Sequence, residues 1–253
     1  MSTTGPSGQD IPLEGIRMSR LGDFEKKPNL PWGFCIYLCS FKDDAAWHKI
    51  LQLLQRRVQK SVELSLPPGE ERIELLEAHD LVIHAELEKF NGATSHEVRD
   101  HFNDWVAEQL PKVVKTPETL QKLVGEHLKE KNHIPGPEYI LGARLNFALF
   151  VDDICLESLV HMDQPVVKVL YKQWGNLSPE ERNYKIDPDW HDGTTEEEEE
   201  DVGWMYMSVS DYVDTYDQFE WAHVAVWHAS YLRPPQMLDY FGDEESQPGF
   251  WRK

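Results

Sequence analysis

The 253-residue chain has few cysteines and no long apolar segment. Its three cysteines, Cys35, Cys39 and Cys155, are too few and odd in number for a secreted disulfide framework. No apolar run approaches the roughly 18 residues that a membrane-spanning helix needs. The segment Met1 to Asp10 is polar and lacks the apolar region of a signal peptide. These absences predict a cytoplasmic protein with no membrane partner.

Basic residues are also scarce. The chain has 25 Lys or Arg against 45 Asp or Glu, a net charge of −20. Such a field repels a phosphate backbone and anionic lipid, so nucleic acid is not expected as a partner. Residues 176–253 alone hold 19 acidic and 5 basic residues, so a basic protein would be the partner that this region suits.

The common cofactor motifs are missing as well. The sequence contains no G-x-G-x-x-G, no P-loop and no G-x-S-x-G, which removes the signatures of many nucleotide enzymes and of α/β-hydrolases. The pairs His96 with His101 and His223 with His228 are spaced i, i+5, which places the rings about 140° apart on a helix rather than on one face. We therefore predict neither a cofactor nor a metal site.

The apolar pattern predicts strands and helices in alternation. In the segment Trp32 to Phe41, both sets of alternating side chains are apolar, which indicates a strand buried on both faces. A helix with its apolar residues on one side follows from Asp43 or Asp44. Further strands are expected over Leu81–Glu88, Arg144–Val151, Val166–Tyr171 and Gly203–Ser210. The prediction is an α+β fold, a mixed sheet of about five strands with helices packed on it, as a ferredoxin-like sandwich or as tandem βαβ halves.

The domain prediction divides the chain into three parts. Residues 1–30 lack periodicity and are expected to be a flexible arm, and residues 31–235 form a single α+β domain. Within that domain, the acidic stretch 187–202, ending in Glu196 to Asp201, is expected to be a disordered loop because like charges repel one another. Residues 236–253 are predicted to be an irregular acidic tail.

Three aspartates stand where a predicted strand passes into a helix: Asp43, Asp152 and Asp211. Two interpretations are open. They are helix N-caps, which is the commoner role, or they face a ligand at the carboxyl edge of a parallel sheet.

Polar residues within the predicted strands are the main site candidates. His84, Arg144, Asn146 and Tyr206 interrupt apolar segments and are predicted as the catalytic set. A buried polar group needs a partner, which a ligand can supply, whereas an edge strand with one solvated face would explain the same pattern. The substrate-binding residues predicted to line an aromatic pocket are Tyr37, Trp204, Met207 and Trp227.

The order of several short segments resembles an expanded family of proteins from filamentous ascomycete fungi. The matching stretches are Gly33 to Tyr37 with Asp43 to Trp47, Val98-Arg99 with Phe102 and Trp105-Val106, Phe150-Val151-Asp152 with Cys155-Leu156, Gly203-Trp204, and Arg233-Pro234-Pro235. The family usually carries Arg-Thr after the tyrosine of the first strand, where this chain has Leu38 and Cys39. The resemblance implies a fungal origin and a mixed α/β fold; by analogy, it suggests secondary metabolism, and it implies no particular reaction.

Two functions of different classes remain. One is a cofactor-independent enzyme, of cyclase or isomerase type, that binds an apolar small metabolite in an aromatic pocket. The other is a protein-interaction module that uses an acidic C-terminal surface with Trp221 and Trp227 as anchors.

Overall fold

A computed structural model describes residues 13–22, 26–116, 118–119, 121, 142–172, 201–237 and 247–252. The helices in these ranges are α1 (Glu14–Leu21), α2 (Asp44–Ser65), α3 (Glu70–Glu77), α4 (Leu87–Phe90), α5 (Ser95–Val113), α6 (Ala143–Asn146), α7 (Asp153–His161) and α8 (Tyr212–Ser230). The strands are β1 (Cys35–Leu38), β2 (Val82–His84), β3 (Phe147–Val151), β4 (Val166–Tyr171) and β5 (Trp204–Ser208). None of these helices is long and apolar enough to cross a membrane.

The five strands form one mixed sheet in the order β2-β1-β3-β4-β5. Strand β1 pairs in parallel with β2 and β3, while β4 is antiparallel to both β3 and β5. The carboxyl ends of β1, β2, β3 and β5 therefore share one edge of the sheet, here called the carboxyl edge, and the opposite side is the amino edge. The predicted α+β class and the five-stranded mixed sheet are confirmed.

Helices cover both faces of this sheet. Side chains such as Ile36 and Leu149 pack on the first face with α1, α2, α3 and α8, and side chains such as Tyr37 and Phe150 pack on the second face with α5. Because both sets of alternating strand residues are apolar, both faces have to be covered. A ferredoxin-like sandwich has helices on one face only. The arrangement is closer to the βαβ alternative, since β1 leads to β2 through α2 and α3, and β2 leads to β3 through α5.

Helix starts follow the local sequence closely. Asp43 and Asp152 accept the backbone N–H of Ala46 and Cys155 and so cap α2 and α7. Thr94 and Glu97 form a complete capping box at α5.

The predicted third strand begins later than expected. Arg144 and Asn146 lie in the short helix α6, and β3 starts only at Phe147. Gly142 precedes the helix with a φ of 88°, which favours glycine, and the Asn146 side chain donates back to the Gly142 carbonyl at 2.8 Å. This closed turn removes both residues from the sheet and corrects their predicted place on one face of a strand.

The predicted flexible arm is also corrected for residues 13–22 and 26–30. Helix α1 packs on α8, with Leu13 and Ile16 fully buried. The N–H of Ile16 donates to the Asp217 carboxylate at 2.8 Å, which satisfies an otherwise open group at the start of the helix. Burial raises the pKa of Asp217. The long-range contact with α8 orders a segment that has little apolar periodicity of its own.

Residues 1–12 lie outside the described part of the chain, as does the acidic stretch 187–202 apart from Asp201 and Val202. Of the predicted tail 236–253, residues 247–252 pack against α7. Trp251 Nε1 and Arg252 both donate to Glu157 at 2.6–2.7 Å.

Candidate functional site

A cavity of about 300 Å³ opens at the amino edge of the sheet. It lies where the segments before β1 and β3 meet the start of β2, the C-terminal half of α5, and helix α8. Its apolar walls are Leu30, Pro31, Val82, Trp105, Val113 and Leu145. A concave, mainly apolar space with a few polar groups is the usual form of a small-molecule site.

Arg144 is a cation of the cavity wall with a side chain that is 13% exposed. Its Nη1 donates to the carbonyls of Gly33 and Asp80 at 2.8 and 2.6 Å, and its Nη2 forms an ion pair with the Asp80 carboxylate at 2.6 Å. The guanidinium lies over the Trp105 ring, 5.9 Å from its centroid. These contacts hold the guanidinium beside the amino ends of β1 and β3.

A buried ion pair faces the same cavity. Lys26 Nζ lies 3.7 Å from Glu220 Oε2, and both side chains are at least 92% buried, with exposures of 8% and 5%. Glu220 Oε1 also accepts the N–H of Ala143 at 3.2 Å. A side chain at Gly142 would come within 2.3 Å of Glu220 Oε2, so the glycine makes room for this carboxylate.

Aromatic hydroxyls complete the environment of Arg144. Tyr216 lines the cavity, and burial raises its pKa well above the ordinary value, so its hydroxyl stays protonated. Tyr212 shares a 2.9 Å hydrogen bond with His79 Nε2. Burial, and then the Arg144 charge, lowers the pKa of His79 to about 4, so this imidazole is neutral near pH 7.

Three of the predicted site residues lie elsewhere, in a row across the second face of the sheet. The register aligns His84, Tyr37, Phe150, Lys168 and Tyr206 on β2, β1, β3, β4 and β5. His84 stacks on Tyr37 with ring centroids 4.7 Å apart. The structure thus brings Tyr37 and His84 together and places Tyr206 at the far end of the same row, away from the cavity.

Tyr37 has a further partner that the sequence did not suggest. Its hydroxyl hydrogen bonds to His101 Nδ1 at 2.9 Å. Burial raises the pKa of Tyr37 and lowers the pKa of both His84 and His101. All three groups are therefore neutral near pH 7, and the cluster resembles a packed polar interior more than a charged catalytic centre.

The middle of the row holds a buried cation, Lys168. Its Nζ bonds to Asp152 at 2.6 Å and lies 4.0 Å from the Trp204 ring centroid, with the rings of Phe150 and Tyr206 slightly farther away. Burial alone would raise the pKa of Asp152, but the Lys168 ammonium and the N–H of Cys155 hold it below its ordinary value. Trp204 Nε1 and the Tyr206 hydroxyl are buried without a hydrogen-bond partner among the described residues.

The other predicted residues are separated from both places. Asn146 is buried by its turn with Gly142, and Met207 and Trp227 belong to the core of the first face. Trp227 Nε1 donates to Asp201 at 2.8 Å, which fixes the ring inside the protein. Of the eight predicted site residues, only Arg144 lines the cavity. Trp204 and Met207 were predicted to line one pocket, but alternate residues of β5 point to opposite faces of the sheet. The two side chains therefore lie in different cores.

Sequence reasoning missed Lys26, Glu220 and Trp105. In the sequence, Trp105 falls at helical spacing with Val98 and Phe102 and so looks like an ordinary core residue. Lys26 lies in a segment without periodicity, and Glu220 is one acidic residue in an acidic region. Only the Tyr216–Glu220 spacing, one turn apart on α8, hints at a shared direction. No group of three or more potential metal ligands occurs among the described residues.

Comparisons of the chain with protein-family models, with curated proteins and with solved structures found no match. The fungal resemblance therefore stays a prediction, and only the site bears on function.

Proposed function

We propose that the protein is a cofactor-independent enzyme, of isomerase or cyclase type, that binds a small, largely apolar metabolite in the amino-edge cavity. The observation that carries the proposal is the cavity itself, an apolar space of about 300 Å³ with Arg144, Tyr216 and Glu220 in its walls. A fungal source and a role in secondary metabolism would agree with the resemblance of the sequence.

The size of the cavity bounds the ligand. A cavity of roughly 150 Å³ accommodates benzene, so this one suits a molecule of roughly 10 to 15 non-hydrogen atoms. Trp105 offers a flat ring against which an aromatic or alicyclic body would pack.

The polar groups are suited to proton transfer and charge stabilisation. Arg144 is held rigidly and would stabilise negative charge that develops on a substrate oxygen. Tyr216, protonated because of its burial, would act as a hydrogen-bond donor or acid, and the Glu220 carboxylate would act as the base. Shape and orientation would contribute the rest of the rate enhancement.

The test is to fill the cavity. Val113→Phe places an aromatic ring in the wall, and Val160→Phe makes the same change on α7 at a side chain that is 83% exposed. We expect native mass spectrometry of protein isolated from its own host to show a retained molecule of a few hundred daltons in the wild type and in Val160→Phe. We expect Val113→Phe to lose it.

The retained molecule then tests the reaction. After incubation with the wild-type protein, an isomerase or cyclase would yield a product of unchanged mass and altered chromatographic retention. The proposal fails if Val113→Phe retains the molecule as well as the wild type does, or if no variant, wild type included, retains or converts a small molecule.

One observation favours the interaction module as a second candidate. Trp221 on α8 is 57% exposed, and Met18 and Leu21 on the neighbouring helix α1 are also exposed. Trp227, the other expected anchor, is fully buried. If this surface binds a basic protein, Trp221→Ala should release the partner, and the wild-type complex should dissociate as salt is raised. Binding that ignores both changes would rule the second candidate out.

A further inference from the structure

The charge of the cavity differs in sign from that of the chain. The protein carries a net charge of −20, yet the cavity is lined by three cations, Lys26, Lys112 and Arg144, and by two carboxylates, Asp80 and Glu220. A field as negative as that of the whole protein would repel an anion. The local excess of positive charge works against that repulsion at this one place.

Two of the three cations that line the cavity form ion pairs with its two carboxylates, and the third, Lys112, does not. Glu220 lies against Lys26 at 3.7 Å and Asp80 against Arg144 at 2.6 Å, so each carboxylate is already matched. Lys112 Nζ bonds to a neutral group, Gln109 Oε1, at 3.0 Å, and it forms no ion pair with any residue in the described ranges. Gln109 also lines the cavity, so this ammonium lies at its rim rather than on a distant surface.

Lys112 belongs to the last turn of α5, where the terminal carbonyls favour a cation and hold the ammonium at this end of the helix. Lys27 Nζ bonds to the carbonyls of Pro111 and Lys112, at 3.4 and 3.0 Å, and brings a second positive charge to the end of α5. An anionic group at the rim of the cavity would meet the Lys112 ammonium before reaching the apolar interior.

We propose that the ligand of this cavity is a small carboxylic acid, with its ring or alicyclic body against Trp105 and Leu145 and its carboxylate at Lys112. The proposal deepens the function proposed above and rests on it. It narrows the substrate class from apolar metabolites in general to those with one acidic group.

The test compares two probes of the same ring system on the full chain, 2-naphthoate and its neutral methyl ester. We expect calorimetry to show that wild-type protein binds the acid more tightly than the ester. We expect Lys112→Gln to weaken binding of the acid roughly two- to five-fold, as for an exposed charge pair, and to leave the ester unchanged. Lys49→Gln, the same change on an exposed residue of α2, should affect neither probe.

Ionic strength provides a second measurement that needs no variant. The advantage of the acid over the ester should narrow as salt is raised, because exposed charges are screened. The inference is overturned if wild-type protein binds the ester as tightly as the acid, or if Lys112→Gln weakens both equally; the cavity site itself would survive either result. If neither probe binds, the cavity site falls and the inference with it.

Discussion

The two edges of the sheet are built differently. At the carboxyl edge, polar side chains bond directly to one another: Asp153 to Ser40, Lys42 and Arg252, and Asp152 to Lys168. At the amino edge the ion pairs stand in the wall of a 300 Å³ cavity. Ligands of open α/β sheets usually gather at carboxyl ends of strands. Among the described residues, that edge carries these ion pairs and the segment 247–252, whereas the cavity lies at the opposite edge.

The three strand-end aspartates at the carboxyl edge have different roles. Asp43 and Asp152 are caps, as the commoner interpretation had it, and Asp152 in addition neutralises a buried lysine. Asp211 lies at the same edge without a side-chain cap hydrogen bond to α8. Position at a strand end therefore does not identify a ligand site; the space that neighbouring side chains leave does.

The largest expected effect is at the carboxyl edge. Lys168→Met removes the ammonium that lies among three aromatic rings and leaves the Asp152 carboxylate without its ion-pair partner. We expect the free energy of unfolding to fall by about 3 kcal/mol, the lower end for breaking a buried pair. Urea denaturation measures it. The double variant Asp152→Asn/Lys168→Met should recover part of the loss, because no unpaired charge remains.

The pH dependence sharpens this prediction. The pKa of Asp152 is below its ordinary value of 3.8, so the pair stabilises the protein above that pH and loses its contribution as pH falls through the lowered value. The difference between wild type and Lys168→Met should be constant above about pH 5 and shrink below about pH 4. If Lys168→Met lowered the free energy of unfolding by less than about 1 kcal/mol at pH 7, the Asp152–Lys168 pair would not be a main source of stability at this edge.

The amino edge should respond in a different pH range. His79 has a pKa of about 4 in the folded protein against 6.5 when free, so the unfolded chain binds the extra proton between these values. Stability present above pH 6.5 is therefore lost as pH falls towards 4, by on the order of 1–2 kcal/mol at pH 5. Thermal unfolding of wild type and His79→Gln from pH 7 to 5 measures it, and subtraction isolates His79 from His84 and His101. Identical slopes for the two proteins would contradict the prediction.

The smallest effect tests the simple caps. Asp43→Ala removes the acceptor of the Ala46 N–H, a 2.9 Å hydrogen bond, and should cost about 1 kcal/mol. Asp43→Asn should be nearly neutral because asparagine caps as well. Asp152→Asn keeps a cap but loses the charge that faces Lys168. Chemical denaturation should therefore show a larger loss in the free energy of unfolding for Asp152→Asn than for Asp43→Asn. Equal losses would mean that Asp152 too is only a cap.

Much of the fold could be predicted because its signals are local. The segment around Tyr37 alternates two apolar sets, and both are buried on opposite faces of β1. Asp43 before α2 and Asp152 before α7 cap their helices, which is one of the two roles expected of them. The candidate site could not be predicted in the same way. Arg144 was identified as a polar residue in an apolar segment, but its partner Asp80 and its neighbour Trp105 come from distant parts of the chain.

Side-chain period, capping chemistry and composition are local properties, and they were enough to predict the α+β class, the five strands, the starts of α2, α7 and α8, and the acidic character of the protein. Which polar residues meet follows instead from tertiary packing. Lys168 faces Asp152 through the register of β3 and β4, and Lys26 faces Glu220 because α1 and the segment after it pack on α8. Such pairs form only when elements far apart in the sequence come close in space, and a local sequence pattern contains no information on that approach.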